Sequence, residues 1–292
     1  MTCPRITATG LTAALFSCIM EQEYITREPI KEGTMEAEPI LTKKVGRIGV
    51  ITLNRPEARN TFTIPFAERL DQALRSMDDD PEVLVVVINA NGKHFSTGIS
   101  LDQFHLESQR EYRDFLRRID AFYHRLARME KVTIASVRGY AVANGTGLAA
   151  ACDITVAAET ATFGTTAINV GLICLGPATP LIRILGRKKT LEMVLTGETI
   201  GAREAERLGL VNRVVPDDQL DAATMQLAEK LAAKSPLALR IGKEGINRLL
   251  DFPYHEGLDT MDDLFATLCS TEDAVEGVQA FLGKRTPEWK ER

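Results

Sequence analysis

Residues 132–158 have the sequence VTIASVRGYAVANGTGLAAACDITVAA, which predicts the centre of the folded core. Two apolar runs typical of strands, Val132–Val137 and Ile154–Ala158, flank a glycine-rich turn and a short helix predicted over residues 144–151. Glycine permits positive φ angles and lets the backbone approach a ligand closely. The first N–H groups of a helix are unpaired and carry a partial positive charge. The stretch therefore predicts a strand, a tight loop and a helix start directed at an anion, unless its glycines serve only to pack helix on strand.

The composition of the chain limits its function. With 292 residues, 45% of them apolar, and a net charge of −5, the chain can bury a large core and lacks the basic character of nucleic-acid binders. Its five cysteines are scattered without a CxxC pair, which indicates reduced thiols and a cytoplasmic location. The four histidines are dispersed, so we expect no metal site. No apolar run reaches the roughly 18 residues that span a membrane, so we expect no membrane partner.

The chain divides into three predicted regions. Residues 1–39 are non-periodic and rich in charge towards their end, which predicts an N-terminal extension outside the core. The apolar run Gly10–Met20 resembles part of a signal peptide but lacks a clear small-residue cleavage site. Residues 40–235 are predicted to form the core and residues 236–292 a C-terminal helical region.

Strands and helices alternate through the first two-thirds of the chain, and the last third is helical. This order predicts an α/β fold with a βαβ core and a helical appendage. The predicted strands outside residues 132–158 cover residues 45–53 (with a turn at 46–47), 83–88 and 211–215, and residues 162–175 are predicted to form a short strand and a loop. The predicted helices cover residues 64–77, 111–129 (a single long helix), 177–196, 202–208, 218–233, 236–250, 254–269 and 273–282.

Five segments resemble the crotonase superfamily, which has the enoyl-CoA hydratase/isomerase fold. The resemblance covers about residues 40–290 and implies a spiral of ββα units with a C-terminal helical trimerisation region, in a homotrimer or homohexamer. The segments are LNRPEARN (53–60), GKHFSTGISLDQF (92–104), ACDITVAAETATFG (151–164), GRKKTLEMVLTGETIGAREAERLGLVNRVVP (186–216) and VQAFLGKRTPEW (278–289).

The resemblance implies an acyl-CoA substrate, with coenzyme A as part of the substrate and no separate cofactor. Two backbone N–H groups form an oxyanion hole for the thioester enolate, and they fall at Ile99 and Asn144. One such donor lowers a barrier by about 3 kcal/mol. Most relatives carry glycine at position 144, but a backbone donor does not depend on its side chain. The alternative for Asn144 is a plain helix cap.

Contacts to coenzyme A are carried over to two segments and to the C-terminus. Phe281 and Lys284 are expected to reach the nucleotide from a neighbouring subunit, unless the basic pair Lys284 and Arg285 is simply solvated. The remaining expected contacts are Glu57, Ala58, Arg59, Thr97, Ile99, Ser100 and Leu101.

The chain departs from the family pattern at both catalytic glutamates. The first would stand at Gly147 and the second at Ala167, and neither residue can transfer a proton. Hydration by the two-glutamate route is therefore unavailable, and isomerisation by a single glutamate is equally disfavoured. Glutamates introduced at both positions are expected to raise hydratase activity.

Other polar residues are weighed as substitutes. Thr166 and Asn169 lie in TTAINVG (165–171), which is similar to the TPVNLG-type segment of decarboxylating relatives, and they are assigned as polar groups of the site. Cys174 is interpreted as an inert buried residue. The other candidates are Ser100 and three residues that we interpret as solvated, namely His94, Asp102 and His105.

Three functions remain open. The first is a lyase or isomerase that stabilises a thioester enolate without two glutamates. The second is a decarboxylase, or a thioester or C–C hydrolase, of the same fold. The third is a catalytically silent acyl-CoA-binding protein.

Overall fold

A six-stranded sheet carries the fold. The computed structural model describes residues 38–292, so the run Gly10–Met20 and all but the last two residues of the predicted N-terminal extension lie outside the described residues. In chain order the elements are β1 (Ile40–Val45), β2 (Ile48–Leu53), α1 (Ile64–Asp79), β3 (Val85–Ala90), α2 (Gln109–Ile119), α3 (Ala121–Arg128), β4 (Val132–Val137), β5 (Tyr140–Val142), α4 (Asn144–Ala151), β6 (Ile154–Ala158), β7 (Thr162–Gly164), α5 (Leu175–Thr196), β8 (Thr199–Gly201), α6 (Ala202–Arg207), β9 (Arg213–Val215), α7 (Leu220–Ala232), α8 (Pro236–Leu249), α9 (Tyr254–Cys269) and α10 (Glu272–Leu282).

The main sheet has the strand order β1-β2-β3-β4-β6-β9. Only β1 and β2 pair antiparallel, and the other pairs are parallel. Every residue of β4 is buried, as expected for a parallel strand covered on both faces. A second sheet, β5-β7-β8, stands beside the first. The predictions of a mostly parallel α/β core, and of β4, α4 and β6 around the glycine-rich turn, are confirmed.

The prediction of one long helix over residues 111–129 is wrong. The helix breaks at Asp120 (φ −92°, ψ 4°), which separates α2 from α3. The apolar positions Phe115, Ile119, Phe122 and Leu126 are all buried and keep helical spacing across the break. The apolar periodicity therefore does not reveal the break, because the break changes the backbone conformation of one polar residue and leaves the apolar face continuous.

The small second sheet was missed in part. Its strands β5 and β8 have three residues each, which is too short for an alternating pattern to show in the sequence. Residues 177–196 form a helix as predicted, but α5 contains a kink at Gly186 (φ 69°, ψ 171°). Glycine is suited to such a kink because it adopts positive φ without steric penalty.

The C-terminal third is helical, as predicted. It exposes large apolar side chains, among them Ile246, Phe265 and Phe281, whose exposed fractions are 66%, 66% and 83%. The described residues belong to one compact unit, and the division at residue 235 stays a prediction. Within residues 38–292, none of the helices is both long and apolar enough to cross a bilayer.

Candidate active site

One candidate donor is the backbone amide of Ile99. Gly98, with a φ of 92°, precedes it, and Ile99 forms an isolated parallel bridge with Phe62. Phe62 N donates to Gly98 O (2.8 Å), and Phe62 O accepts from Ser100 N (2.9 Å). Because this bridge uses the groups on either side of Ile99, the Ile99 amide points away from Phe62. Its hydrogen is accepted by no other residue in the described part of the chain.

The second candidate donor is the backbone amide of Asn144, the first residue of α4. The first amides of a helix lack intrahelical acceptors, and Asn144 N donates to no other residue between 38 and 292. The preceding Ala143 has φ 50° and ψ −120°, which side chains disfavour. Its N–H donates to Gly164 O (2.8 Å), and this bond helps to hold the turn.

The two amides lie on loops that abut. A Cβ built on Gly98 would lie 2.6 Å from the Ala143 Cβ and 3.5 Å from Asn144 N. A Cβ built on Gly145 would overlap Ser96 O. Glycine at these positions therefore allows the loops to meet, and the amide that follows Gly98 lies beside the start of α4.

Asn60 clamps the loop that carries Ile99. Its buried side chain accepts from Arg55 N (2.7 Å) and donates to Asn91 O (3.0 Å) and His94 O (2.9 Å). Its carbonyl oxygen accepts from Ser96 Oγ (2.8 Å). Its φ of 53° suits asparagine better than most residues. The clamp joins the 55–60 loop to the 91–98 loop.

Thr146 anchors the start of α4 to the second sheet. Its buried hydroxyl accepts from Gly164 N in β7 (2.9 Å) and donates to Ala141 O in β5. Both candidate amides are thus held by buried hydrogen bonds to neighbouring segments.

Positions 147 and 167, where the family glutamates are predicted to be missing, differ in their surroundings. A Cβ built on Gly147 would overlap the Tyr123 hydroxyl and lie 3.0 Å from Pro177 Cα. Tyr123 therefore reaches from α3 into the space that a side chain at position 147 would enter. Ala167 lies in the 3₁₀ helix Thr166–Val170 and is half-buried. The glutamate graft proposed from sequence requires a shorter residue at position 123 as well.

Asp120, at the break between α2 and α3, lies against the start of α4. Its Oδ1 accepts from Asn144 Nδ2 (3.1 Å), and a Cβ built on Gly176 would lie 2.9 Å from its Oδ2. Burial raises the pKa of this carboxyl to about 6, although the Asn144 hydrogen bond and the charge of His124 act in the opposite direction. Asp120 also lines a cleft of about 850 Å³ along α2 and α3.

Two other titratable candidates are engaged or inert. His94 Nδ1 accepts from Tyr140 N (3.2 Å), and the two rings stack at 4.8 Å between centroids. His94 is half-buried, and this burial lowers the pKa of its imidazole. Cys174 is buried, and burial raises the pKa of its thiol. The His94 ring and the Cys174 thiol are therefore both engaged in contacts with neighbouring residues.

The two polar residues assigned to the site, Thr166 and Asn169, lie in one short 3₁₀ helix. Thr166 begins the 3₁₀ helix and is half-buried. The Asn169 side chain faces the end of α5, because a Cβ built on Gly197 would lie 2.8 Å from Asn169 Oδ1. The assignment of Asn169 gains no support from these contacts, and that of Thr166 stays a prediction.

The residues predicted to contact coenzyme A lie on neighbouring surface segments. Arg59 (φ 52°) follows a 3₁₀ helix that holds Glu57 and Ala58, and Arg59 O accepts from Thr97 N (3.2 Å). Phe281 is the last but one residue of α10 and is largely exposed, and the exposed Lys284 lies three residues further on. The other two predicted contacts directly follow Ile99, and they are the half-buried Ser100 and the exposed Leu101.

Sequence reasoning missed Asn60, Asp120 and Tyr123. Asn60 closes the quoted segment LNRPEARN, and an asparagine at a loop end was a usable signal for positive φ. Asp120 is a residue type favoured at helix N-caps, standing inside an apolar periodicity, which was a weaker signal. Tyr123 gave no signal, since it adjoins the apolar face. Among residues 38–292, no cluster of three or more His, Cys, Asp or Glu side chains could hold a metal.

The sequence and the architecture match known proteins. The enoyl-CoA hydratase/isomerase family model matches residues 43–292. A protein named probable enoyl-CoA hydratase from Rhizobium meliloti is 39% identical over 261 residues, which are 88% of this chain and 100% of that protein. The 2,3-dehydroadipyl-CoA hydratase of Escherichia coli is 36% identical over 254 residues, which are 87% of this chain and 99% of that protein.

A solved structure agrees with these relatives. The enoyl-CoA hydratase of Mycobacterium smegmatis superposes with a TM-score of 0.83 at 36% identity, over 86% of this chain and 98% of that chain. The match defines the protein as an α/β protein of the crotonase superfamily. Within that superfamily, the chain belongs to the enoyl-CoA hydratase/isomerase family. The fold class and the resemblance predicted from sequence are confirmed.

Proposed function

We propose that the protein binds an acyl-CoA thioester and stabilises its enolate with the backbone amides of Ile99 and Asn144. One observation carries the proposal: two amides that find no acceptor among residues 38–292 lie on loops that abut at Gly98 and Ala143. Preorganised donors of this kind act where negative charge develops, and each contributes about 3 kcal/mol. The start of α4 adds the partial positive charge of a helix N-terminus.

The reaction does not use the two-glutamate hydration route. Position 147 is glycine and position 167 is alanine, and Tyr123 fills the space beside position 147. Water addition across a double bond by two opposed carboxylates therefore has no groups at these positions. The enolate-stabilising half of the family chemistry is the part that the chain retains.

Coenzyme A is proposed to lie across the exposed Glu57 and Arg59 and the segment from Thr97 to Leu101. Phe281 and Lys284 would come from a second copy, in a homotrimer or homohexamer. The large exposed apolar side chains of the C-terminal helices support an assembly, since a monomer rarely leaves so much apolar surface in water. Light scattering after size exclusion measures the state, and a monomer at micromolar concentration contradicts this part. A cytoplasmic location stays a prediction.

The Ile99 amide can be removed selectively. Ile99→Pro deletes its N–H, which donates to no group in the described part of the chain, and Ile99→Val keeps it as the matched control. The probe is butyryl-CoA labelled with ¹³C at the thioester carbonyl. Binding to the wild type and to Ile99→Val is expected to shift this resonance downfield, as hydrogen bonding polarises the carbonyl. Ile99→Pro is expected to lose most of the shift and to lower turnover by about 10²–10³-fold. An equal shift in all three proteins would refute the assignment.

A panel of thioesters separates the reaction types. Crotonyl-CoA, malonyl-CoA and a β-keto acyl-CoA are incubated with the protein, and the products are followed by chromatography. Turnover of malonyl-CoA alone indicates decarboxylation, because loss of CO₂ yields the enolate without a base. Turnover of the β-keto ester alone indicates hydrolysis. Binding of all three without turnover indicates a silent acyl-CoA-binding protein.

A further inference from the structure

Two polar side chains approach the candidate site from the start of α3, which holds none of the predicted site residues. Asp120 and Tyr123 lie one helical turn apart at the start of α3. Asp120 contacts the side chain of Asn144, and Tyr123 overlies Gly147. They therefore meet α4 at the residue that carries a proposed oxyanion donor and at the position where the family glutamate is missing.

The Asp120 side chain does not cap α3, although Asp120 stands at the N-terminus of that helix. Aspartate at an N-cap ordinarily accepts a hydrogen bond from an amide two or three residues later. The Asp120 side chain makes no such bond to α3. Its Oδ1 instead accepts from Asn144 Nδ2, across 24 residues of sequence, and its Oδ2 lies close to Gly176. The carboxylate of Asp120 thus contacts the candidate site and does not bond to the amides of α3.

Tyr123 supplies the second, independent observation. Its hydroxyl is buried and has no hydrogen-bond partner among residues 38–292. A buried tyrosine hydroxyl without a partner is uncommon and calls for a ligand or a function. Burial raises the pKa of Tyr123 well above its usual value, so the hydroxyl stays protonated and can only donate or accept a hydrogen bond.

We propose that Asp120 is the proton-transfer residue of this site and that the Tyr123 hydroxyl donates a hydrogen bond to the bound acyl group. The inference rests on the proposed function and replaces its missing glutamates. Asp120 takes the hydrogen on the α-carbon of the thioester as a proton. The C–H bond breaks, an O–H bond forms on the carboxyl, and the electron pair moves to the thioester oxygen, which the Ile99 and Asn144 amides hold.

The same carboxyl completes the reaction. Returning its proton to the α-carbon restores the thioester, and returning it to the γ-carbon of an unsaturated chain moves the double bond. Both steps balance without any further reactant. The cleft along α2 and α3 reaches Asp120 and gives solvent a path to it, so a captured proton can exchange with water.

The electrostatics of the site suit a base near neutral pH. Burial brings the pKa of Asp120 to about 6, close to the working pH that a general base requires. The titratable groups that interact with Asp120 are His124 and Tyr123 on α3, and Cys174, before α5, interacts with Tyr123. The other charged side chains that line the same cleft are Asp71, Arg113, Arg117, Arg125 and Arg128. Burial raises the pKa of both Tyr123 and Cys174, so neither contributes charge at pH 7.

Deuterium exchange tests the assignment without knowledge of the natural acyl group. The protein is incubated with butyryl-CoA in D₂O, and deuterium at C2 is followed by mass spectrometry. We expect Asp120→Asn to lower the exchange rate by about 10²-fold or more while butyryl-CoA still binds. Asp120→Glu should keep part of the rate. Asp114→Asn, on the exposed face of α2, is the matched control and should exchange as the wild type does.

The pH profile gives a test that needs no variant. The wild-type rate should rise with pH and reach half its maximum near pH 6, because only the carboxylate accepts a proton. Tyr123→Phe should lower the rate without moving this midpoint. A wild type that binds butyryl-CoA without exchange, a rate independent of pH, or an unchanged rate in Asp120→Asn overturns the inference and leaves the proposed function standing. Absence of binding, or of the carbonyl shift, overturns both.

Discussion

The candidate site has two sides that differ in how the fold supports them. The backbone side comprises the amides of Ile99 and Asn144, and buried hydrogen bonds from Asn60 and Thr146 hold their loops. The side-chain side comprises Asp120 and Tyr123, of which one is a desolvated carboxyl and the other an unpaired hydroxyl. The first side stabilises the native state and the second destabilises it. Groups that lower stability without local compensation are those expected to serve function.

The largest expected effect comes from Gly147→Glu, which places a new side chain in the space that Tyr123 occupies. The new side chain overlaps the Tyr123 hydroxyl and buries a carboxylate without a partner. We expect a loss of about 4 kcal/mol or more in the free energy of unfolding, measured in urea. Adding Tyr123→Ala opens the space and should recover much of the loss. Equal stability of the single and double variants contradicts this account of Tyr123.

On the backbone side, Asn60→Ala should destabilise the protein by about 3 kcal/mol. The substitution removes three buried side-chain hydrogen bonds and leaves their backbone partners unpaired. Asn54→Ala is the control, because Asn54 also bonds to Asn91 but at the surface, and its loss should stay below about 1 kcal/mol. Similar losses in both variants would show that Asn60 is not a clamp.

The opposite sign is expected on the side-chain side. The Asp120 pKa is raised from 3.8 to about 6 by folding, so the ionised carboxyl destabilises the native state above pH 6. Asp120→Asn should therefore raise stability at pH 7.5 by about 2 kcal/mol, less than the full shift because of partial exposure. As the pH falls from 6 to below 4, the native carboxyl protonates first and the wild type regains this difference. Urea titrations across this range measure it, and a destabilised Asp120→Asn at pH 7.5 contradicts the comparison.

The smallest effect concerns the turn that begins α4. Ala143 has a positive φ that glycine adopts without strain, so Ala143→Gly should stabilise the protein by about 1 kcal/mol. Ala149→Gly, inside the same helix, is the control and should destabilise by about 1 kcal/mol. Thermal melts of the two variants should shift in opposite directions. A shift of the same sign would show that the Ala143 turn carries no strain.

Much of the backbone side could be predicted from the sequence. Apolar runs and clustered glycines located β4, α4 and β6, and the family segments located positions 99 and 144. These features depend on residues close together in the chain. The surroundings of Asn169 and His94 come from Gly197 and Tyr140, and the local sequence does not place these contacts.

The sequence alone determined the strand and helix order, the family, and the absence of glutamate at positions 147 and 167. Local backbone preferences and apolar periodicity encode such features within a few residues. Two features became visible only in the folded chain: the helix over residues 111–129 breaks at Asp120, and Asp120 and Tyr123 contact α4. The physical reason is that burial and hydrogen bonding of a side chain depend on neighbours from distant segments. Asn144 lies 24 residues away from Asp120, and no local pattern reports that contact.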